Sequence, residues 1–221
     1  MIFQQLFDLT EHMLMFNIIL HLATLCAVVI VFRKKIWELV QNPLCKTNLC
    51  LLTATVITCI FVVLLKGTID SLFAFGVLPV TFMVTAIVLF LTTLLPQTRH
   101  NEVTYRTGIF AGLTQGIAVV PGLSRSGCTI AACLADGVNR DEAAQFSFLM
   151  SIPIIVASFV FELMSTSAQI NIQAIPLLFA FVAALLSGIL AIKLMLKLIK
   201  EIKLYWFSVY LVILSGILLF I

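Results

Sequence analysis

Arg125 lies in the run Gln115-Gly-Ile-Ala-Val-Val-Pro-Gly-Leu-Ser-Arg-Ser-Gly-Cys-Thr129, among the hydroxyls of Ser124, Ser126 and Thr129 and the helix-breaking residues Pro121, Gly122 and Gly127. These residue types at this spacing can bind an anion. A guanidinium takes two phosphate oxygens at once. A helix that restarts after Pro121-Gly122 offers unpaired N–H groups and the positive end of its dipole. Ser124 and Ser126 can donate to further oxygens, and either hydroxyl could attack phosphorus. Thr129 follows Ser126 by about one helical turn, so it either caps the new helix or faces the same pocket. Gln115 adds a neutral polar group on the preceding segment, also pointing to an interior. For single residues a plainer reading competes. Ser, Gly and Thr let membrane helices pack closely, and Arg125 can be a structural charge paired with Asp136 or Glu162. The whole cluster together favours an anion site.

Nearly everything around the cluster is apolar. Of 221 residues 62% are hydrophobic and 10% charged, and the mean hydropathy is +1.19. Water-soluble domains hold roughly 45–50% apolar and 25% charged residues. The chain therefore reads as an all-α integral membrane protein. A charge at membrane depth costs about 2.5–3.5 kcal/mol by insertion scales, so Arg125 needs a reason to persist. The net charge of +3 says little about partners, because topology sets the basic residues; no nucleic acid is expected among them. Met1 to Glu11 carries Asp8 and Glu11 and no Lys or Arg, unlike a cleavable signal peptide, and the first span is expected to serve as its own insertion signal. The six cysteines show no metal spacing and read as small hydrophobes.

A spanning helix needs about 20 apolar residues. Met13–Phe32, Thr47–Leu65, Phe73–Leu95, Ala143–Met164 and Ile175–Leu196 qualify, and Leu204–Ile221 closes the chain as a sixth. The interval from Thr107 to Asp136 differs. It is apolar but interrupted by Gly108, Gly112, Gly116, Pro121, Gly122 and Gly127, so two half-helices joined by a loop fit better than one span. Such backbone is tolerated only where it is buried in protein or lines a cavity. The basic residues Arg33, Lys34, Lys35, Lys46, Arg99, Arg106, Arg140, Lys193, Lys197, Lys200 and Lys203 all fall on one side if this interval is a re-entrant hairpin that enters and leaves at the cytoplasmic face. The expected architecture is six transmembrane helices plus one re-entrant hairpin in a single membrane domain, 1–221. Phe16 to Leu25 and Phe146 to Ile155 share a pattern at the head of a span, and opposite flanking charges make them antiparallel, as in inverted-topology repeats. Residues 1–106 then form a partial first repeat and 107–221 the second, with the hairpin at 107–136. The counterpart of the Ser124-Arg125-Ser126 loop would fall before Met1.

Other polar residues carry less. His21 lies within the first span and is either functional or bonded across helices. Glu11 and His12 sit at its outer edge, and His100 lies in a polar loop, read as exposed. Asp136, Asp141 and Glu142 surround Arg140 as a solvated loop whose acids favour the start of the next helix. Lys193, Lys197 and Lys200 share one helix face and read as snorkelling toward anionic headgroups.

The stretch Gly112-Leu-Thr-Gln-Gly-Ile-Ala-Val-Val-Pro-Gly-Leu-Ser-Arg-Ser-Gly-Cys-Thr-Ile130 closely resembles the second signature of the undecaprenyl-diphosphatases of the bacitracin-resistance type. Gly137-Val-Asn-Arg140, Ala143 to Pro153, Phe16 to Arg33 with His21-Leu22, and the final basic helix extend the resemblance over essentially the whole chain. The resemblance implies a multi-pass enzyme of the bacterial plasma membrane with inverted repeats and re-entrant hairpins. It implies removal of the terminal phosphate of undecaprenyl diphosphate, which regenerates a carrier lipid for peptidoglycan and confers bacitracin resistance. Arg125 then stands at the position of a catalytic phosphate ligand, and Ser124 and Ser126 line the same pocket. Gln115, Pro121, Gly122, Gly127 and Thr129 belong with them as substrate-binding positions. A divalent cation, Mg or Ca, is implied as cofactor; a homodimer stays open. The family's first signature, an acidic half-helix followed by Pro-x-Ser-Ser-Thr-Gly-His, is absent from this sequence, and Glu11 and His12 stand in no comparable motif. A phosphate clamp without those acid–base partners is expected to bind well and turn over poorly. The alternative from another class is a polyprenyl-phosphate binder or transporter without hydrolase activity.

Overall fold

A computed structural model of the chain describes residues 13–71, 77–95, 100–165, 174–201 and 205–219. Eight helices follow one another among them: α1 (Met13–Gln41), α2 (Lys46–Ser71), α3 (Leu78–Thr92), α4 (Tyr105–Ile117), α5 (Arg125–Ala135), α6 (Arg140–Ser165), α7 (Ala174–Glu201) and α8 (Tyr205–Leu218). No strand is present among the described residues. The all-α expectation holds, and the side chains agree with a lipid environment: Leu64 is 76% and Phe179 72% exposed, a distribution that water would penalise. The stretches Lys46–Leu65, Arg140–Val160 and Leu177–Ile199 are long and apolar enough to cross a membrane, whereas α3 and α8 are apolar but shorter. Helix α1 continues past the expected end at Phe32, where φ −98° and ψ 15° mark a kink. The bend falls where the apolar run meets Arg33-Lys34-Lys35.

The helices divide into two compact units. One comprises residues 1–36 and 151–194, and within it Gly188 lets α7 approach α1 until a Cβ there would lie 3.1 Å from that of Ala27. The other comprises residues 37–150 and 195–221 and contains the motif. Its core is built by Phe146, Met150, Ile130, Cys133, Leu89 and Ile199, all buried. Helix α8 is fixed to α3 by two serine hydroxyls that donate to backbone carbonyls, Ser208 to Ala86 and Ser215 to Pro79. Serine hydroxyls thus bond across helices to backbone oxygens, which adds about 0.6 kcal/mol on average in membrane proteins.

Three glycines read above as interruptions are not breaks. Helix α4 runs unbroken through Gly108 and Gly112 to Gly116 and Ile117, and these glycines, four residues apart, form one face against α2. A Cβ at Gly108 would sit 2.8 Å from the Cys50 carbonyl oxygen, one at Gly112 2.7 Å from that of Ala54, and one at Gly116 2.8 Å from the Phe61 Cβ. Small residues at this spacing allow backbones to touch. Gly112→Val is therefore expected to lower the thermal midpoint in detergent, with overpacking of about 1–3 kcal/mol. Gly67→Ala, where no neighbour lies within 4 Å, is the control that does not lower it, since alanine suits a helix interior better than glycine.

Candidate functional site

Helices α4 and α5 form the hairpin that the glycine and proline pattern predicts, with the loop at 118–124. Its two ends lie side by side. Thr104 caps α4: its Oγ1 accepts the Thr107 N–H at 3.1 Å while the Thr107 hydroxyl accepts the Thr104 N–H at 3.0 Å. Both threonine hydroxyls then donate to the Asp136 carboxylate at the far end of α5, Thr104 at 3.0 Å. Arg106 Nε reaches the other carboxylate oxygen at 3.2 Å. His100 lies across the same ends, its Nδ1 2.7 Å from the Glu102 carbonyl oxygen and its Nε2 3.0 Å from that of Asp136, one ring N–H donating. This corrects two expectations. The Asp136 side chain is only 6% exposed, not part of a solvated loop, and its partner is Arg106, not Arg125. His100 is likewise a tie rather than a free loop residue. The acids Asp141 and Glu142 do sit in the first turn of α6, where Asn139 Oδ1 accepts the Glu142 N–H at 2.8 Å.

The base of the hairpin is thus a closed polar knot, and its loss is measurable. Asp136→Ala leaves two threonine hydroxyls without their acceptor, and a drop of about 1–3 kcal/mol in stability is expected from hydrogen-bond deletion. Arg106, 74% exposed at its side chain, contributes a solvent-screened pair worth about 0–1 kcal/mol. Thermal unfolding of Asp136→Ala and Arg106→Ala in detergent checks the order; equal losses contradict it.

At the other end the chain turns at Val120-Pro121-Gly122-Leu123, closed by the Leu123 N–H on the Val120 carbonyl at 3.2 Å. Proline's fixed φ suits the second position of a type II turn, and the third needs positive φ. Gly122 has φ 89°, and a Cβ there would lie 1.9 Å from Thr81 Oγ1 on α3. Pro121 and Gly122 therefore shape the loop. Ser124 is the N-cap of α5, its Oγ accepting the Gly127 N–H at 3.1 Å. Gly127 is buried beneath it, with room for no Cβ: the Ser124 Oγ would be 2.9 Å away.

Arg125 and Ser126 occupy the first two positions of α5, half-buried. Their N–H groups precede the first intrahelical bond, which Cys128 makes to the Ser124 carbonyl at 2.9 Å. The described residues give the Arg125 guanidinium no ion pair. Two main-chain donors, a hydroxyl and a guanidinium thus belong to the first two residues of one helix, groups that suit phosphate oxygens.

Two expected members point elsewhere. Thr129 is fully buried beneath the loop, where its hydroxyl is 3.0 Å from the Arg125 carbonyl and bonds to Ser147 on α6; the cap is Ser124 instead. Gln115, 1% exposed, donates from Nε2 to Thr58 on α2 at 3.2 Å, so it ties helices rather than joining Arg125. Thr81, Thr85, Thr58 and Ser147 support the site and were missed. Their signal was present: a hydroxyl inside an apolar helix must find a partner. His21 lies half-buried on α1. Glu11, His12, Arg99 and Lys203 lie outside the described residues, as do the side chains of Glu162 and Lys200.

Between α3 and the hairpin an apolar cavity of about 340 Å³ opens beside the loop. Val84, Val88, Leu91, Ile117, Leu123 and Ala132 are among its walls. Leu123 belongs to both cavity and turn, so an apolar, open hollow adjoins the polar helix start.

The chain matches the family described as bacitracin resistance protein BacA over residues 1–217. It belongs to that family. A relative from Carboxydothermus hydrogenoformans named undecaprenyl-diphosphatase is 38% identical over 219 residues, covering 96% of this chain and 84% of the relative. A protein of the same name from Treponema denticola is 35% identical over 218 residues, 90% of this chain and 80% of its own. A third, from Christiangramia forsetii, is 33% identical over 217 residues, at 92% and 80%. The motif that first suggested an anion site lies within the family match.

Proposed function

We propose that this chain is an undecaprenyl-diphosphatase, hydrolysing undecaprenyl diphosphate to undecaprenyl phosphate and inorganic phosphate. The observation that carries the reading is the start of α5, where Arg125 and Ser126 precede the first intrahelical bond, in a chain that belongs to this family. Water adds to the terminal phosphorus, the bridging P–O bond breaks, and the leaving oxygen stays on the lipid phosphate. Arg125 holds the terminal phosphate and offsets the charge that develops in the transition state. Ser126 donates to a phosphate oxygen, Ser124 keeps α5 open at its first turn, and Gly122, Pro121 and Gly127 hold the loop. Gln115 and Thr129 contribute from behind, through Thr58 and Ser147. The cavity beside Leu123 takes the first isoprene units, which places the headgroup at the loop.

The protein works as a multi-pass protein of the bacterial plasma membrane, with six spans, the hairpin opening to the cytoplasmic side, and the two repeats divided near residue 106. Its partners are the lipid and the membrane, not nucleic acid; a homodimer is read by light scattering of the detergent complex. The implied Mg or Ca finds no ligand set here: among the described residues no three His, Cys, Asp or Glu side chains come together, and the Asp136 carboxylate is held by Arg106. No step is derived through a metal. The test is ³¹P NMR of undecaprenyl diphosphate incubated with the purified chain. Growth of monophosphate and inorganic phosphate signals supports the reading, and an unchanged diphosphate spectrum ends it.

A further inference from the structure

The start of α5 is completed by a different helix. In a self-contained capping box the N-cap side chain accepts the N–H three residues on, and the side chain at that third position accepts the N-cap N–H in return. Helix α4 has this arrangement, Thr104 with Thr107. Helix α5 has only half of it. Ser124 Oγ accepts from Gly127, but Gly127 has no side chain with which to answer, and a Cβ there would collide with Ser124. The Ser124 N–H goes instead to Thr85 Oγ1 on α3 at 3.2 Å. Thr85 is fully buried, and its own proton goes to the Thr81 carbonyl at 3.0 Å. Its hydroxyl therefore presents a lone pair to the loop in a fixed direction. Only a side chain that both donates and accepts at this length can do so. The adjoining Thr81 carries Gly122 against it, so one turn of α3 sets both ends of the segment from Gly122 to Ser124.

We propose that Thr85 is a positioning residue for the phosphate-binding loop, supplying from α3 the acceptor that completes the N-cap of α5 and so leaving the Arg125 and Ser126 N–H groups free for a phosphate. This deepens the proposed function and rests on it. Thr85 touches no substrate; it acts through Ser124.

The test compares Thr85→Ser, Thr85→Val and Thr85→Ala in the full chain. Turnover of undecaprenyl diphosphate is followed together with amide hydrogen exchange of peptides covering 118–128, with and without inorganic diphosphate. Thr85→Ser keeps the hydroxyl and is expected to retain kcat within about threefold. Thr85→Val keeps the shape but removes the acceptor; kcat is expected to fall about 10–100-fold, the scale of a misplacement near 1 Å, with KM within about twofold. The 118–128 peptides should be protected by diphosphate in the wild type and Thr85→Ser, and not in Thr85→Val. Wild-type kcat in a folded Thr85→Val, equal losses in the serine and valine variants, or failure of both valine and alanine variants to fold overturns the proposal. Should the wild type release no phosphate, the proposed activity falls and the exchange data alone decide Thr85. Protection that differs between serine and valine sustains it; no difference, or no protection in the wild type, refutes it.

Discussion

Arg125→Ala is expected to lower phosphate release from undecaprenyl diphosphate by about 10²–10³-fold, the range for deleting one group that stabilises developing charge. The protein should still fold. Arg125 makes no ion pair among the described residues, and its neighbours Ser124 and Gly127 complete their cap without its side chain. Removing a half-buried cation that lacks a partner relieves a desolvation cost, so the thermal midpoint should hold or rise while activity collapses. A structural arginine gives the opposite pattern, lower stability with activity falling in proportion. Arg125→Lys separates charge from geometry. Lysine keeps the positive charge but not the two-pronged donor, and a large residual loss with lysine assigns the effect to bidentate contact. Steady-state kinetics beside thermal unfolding of the three proteins reads both quantities.

Gly122→Ala should be the most damaging change that touches no reacting group. Left-handed backbone costs an alanine about 1–2 kcal/mol, and at φ 89° the new methyl would also lie 1.9 Å from Thr81 Oγ1. The turn must lift off α3, and it carries Leu123 and Ser124 with it. A shift near 1 Å at a clamp is worth up to about 100-fold in rate. Thr81→Ala in the same chain removes the collision but not the backbone strain, so the double variant should recover part of the activity. Full activity in Gly122→Ala alone contradicts the loop geometry described above.

The hairpin and its loop were legible in the sequence because Pro121-Gly122 can serve few backbone shapes and because Arg125 is too costly at depth to be filler. The glycines divided differently from their appearance. Gly122 belongs to the loop and Gly127 to the first turn of α5 beneath its cap, while Gly108, Gly112 and Gly116 serve the contact with α2, a distinction that depends on which helix lies opposite. The hydrogen-bond partners of Gln115 and Thr129 depend on the same packing: each lies far away in sequence, Thr58 and Ser147. Asp136 could not be assigned from its neighbours, since its partners Thr104, Thr107 and Arg106 meet it only when α4 and α5 lie side by side. Thr85 carries only the general signal of a hydroxyl in an apolar helix, and its partner Ser124 reaches it only when the loop packs on α3.

The central claim is that this chain breaks the phosphoanhydride of a lipid diphosphate at Arg125. Its most direct test places the 221-residue chain in liposomes carrying undecaprenyl diphosphate and follows inorganic phosphate and lipid transfer between leaflets in one sample. Release of one phosphate per lipid consumed, reduced about 10²–10³-fold by Arg125→Ala, is the predicted result. Binding or leaflet transfer of intact diphosphate with no phosphate released would contradict the account and make the same site a carrier's.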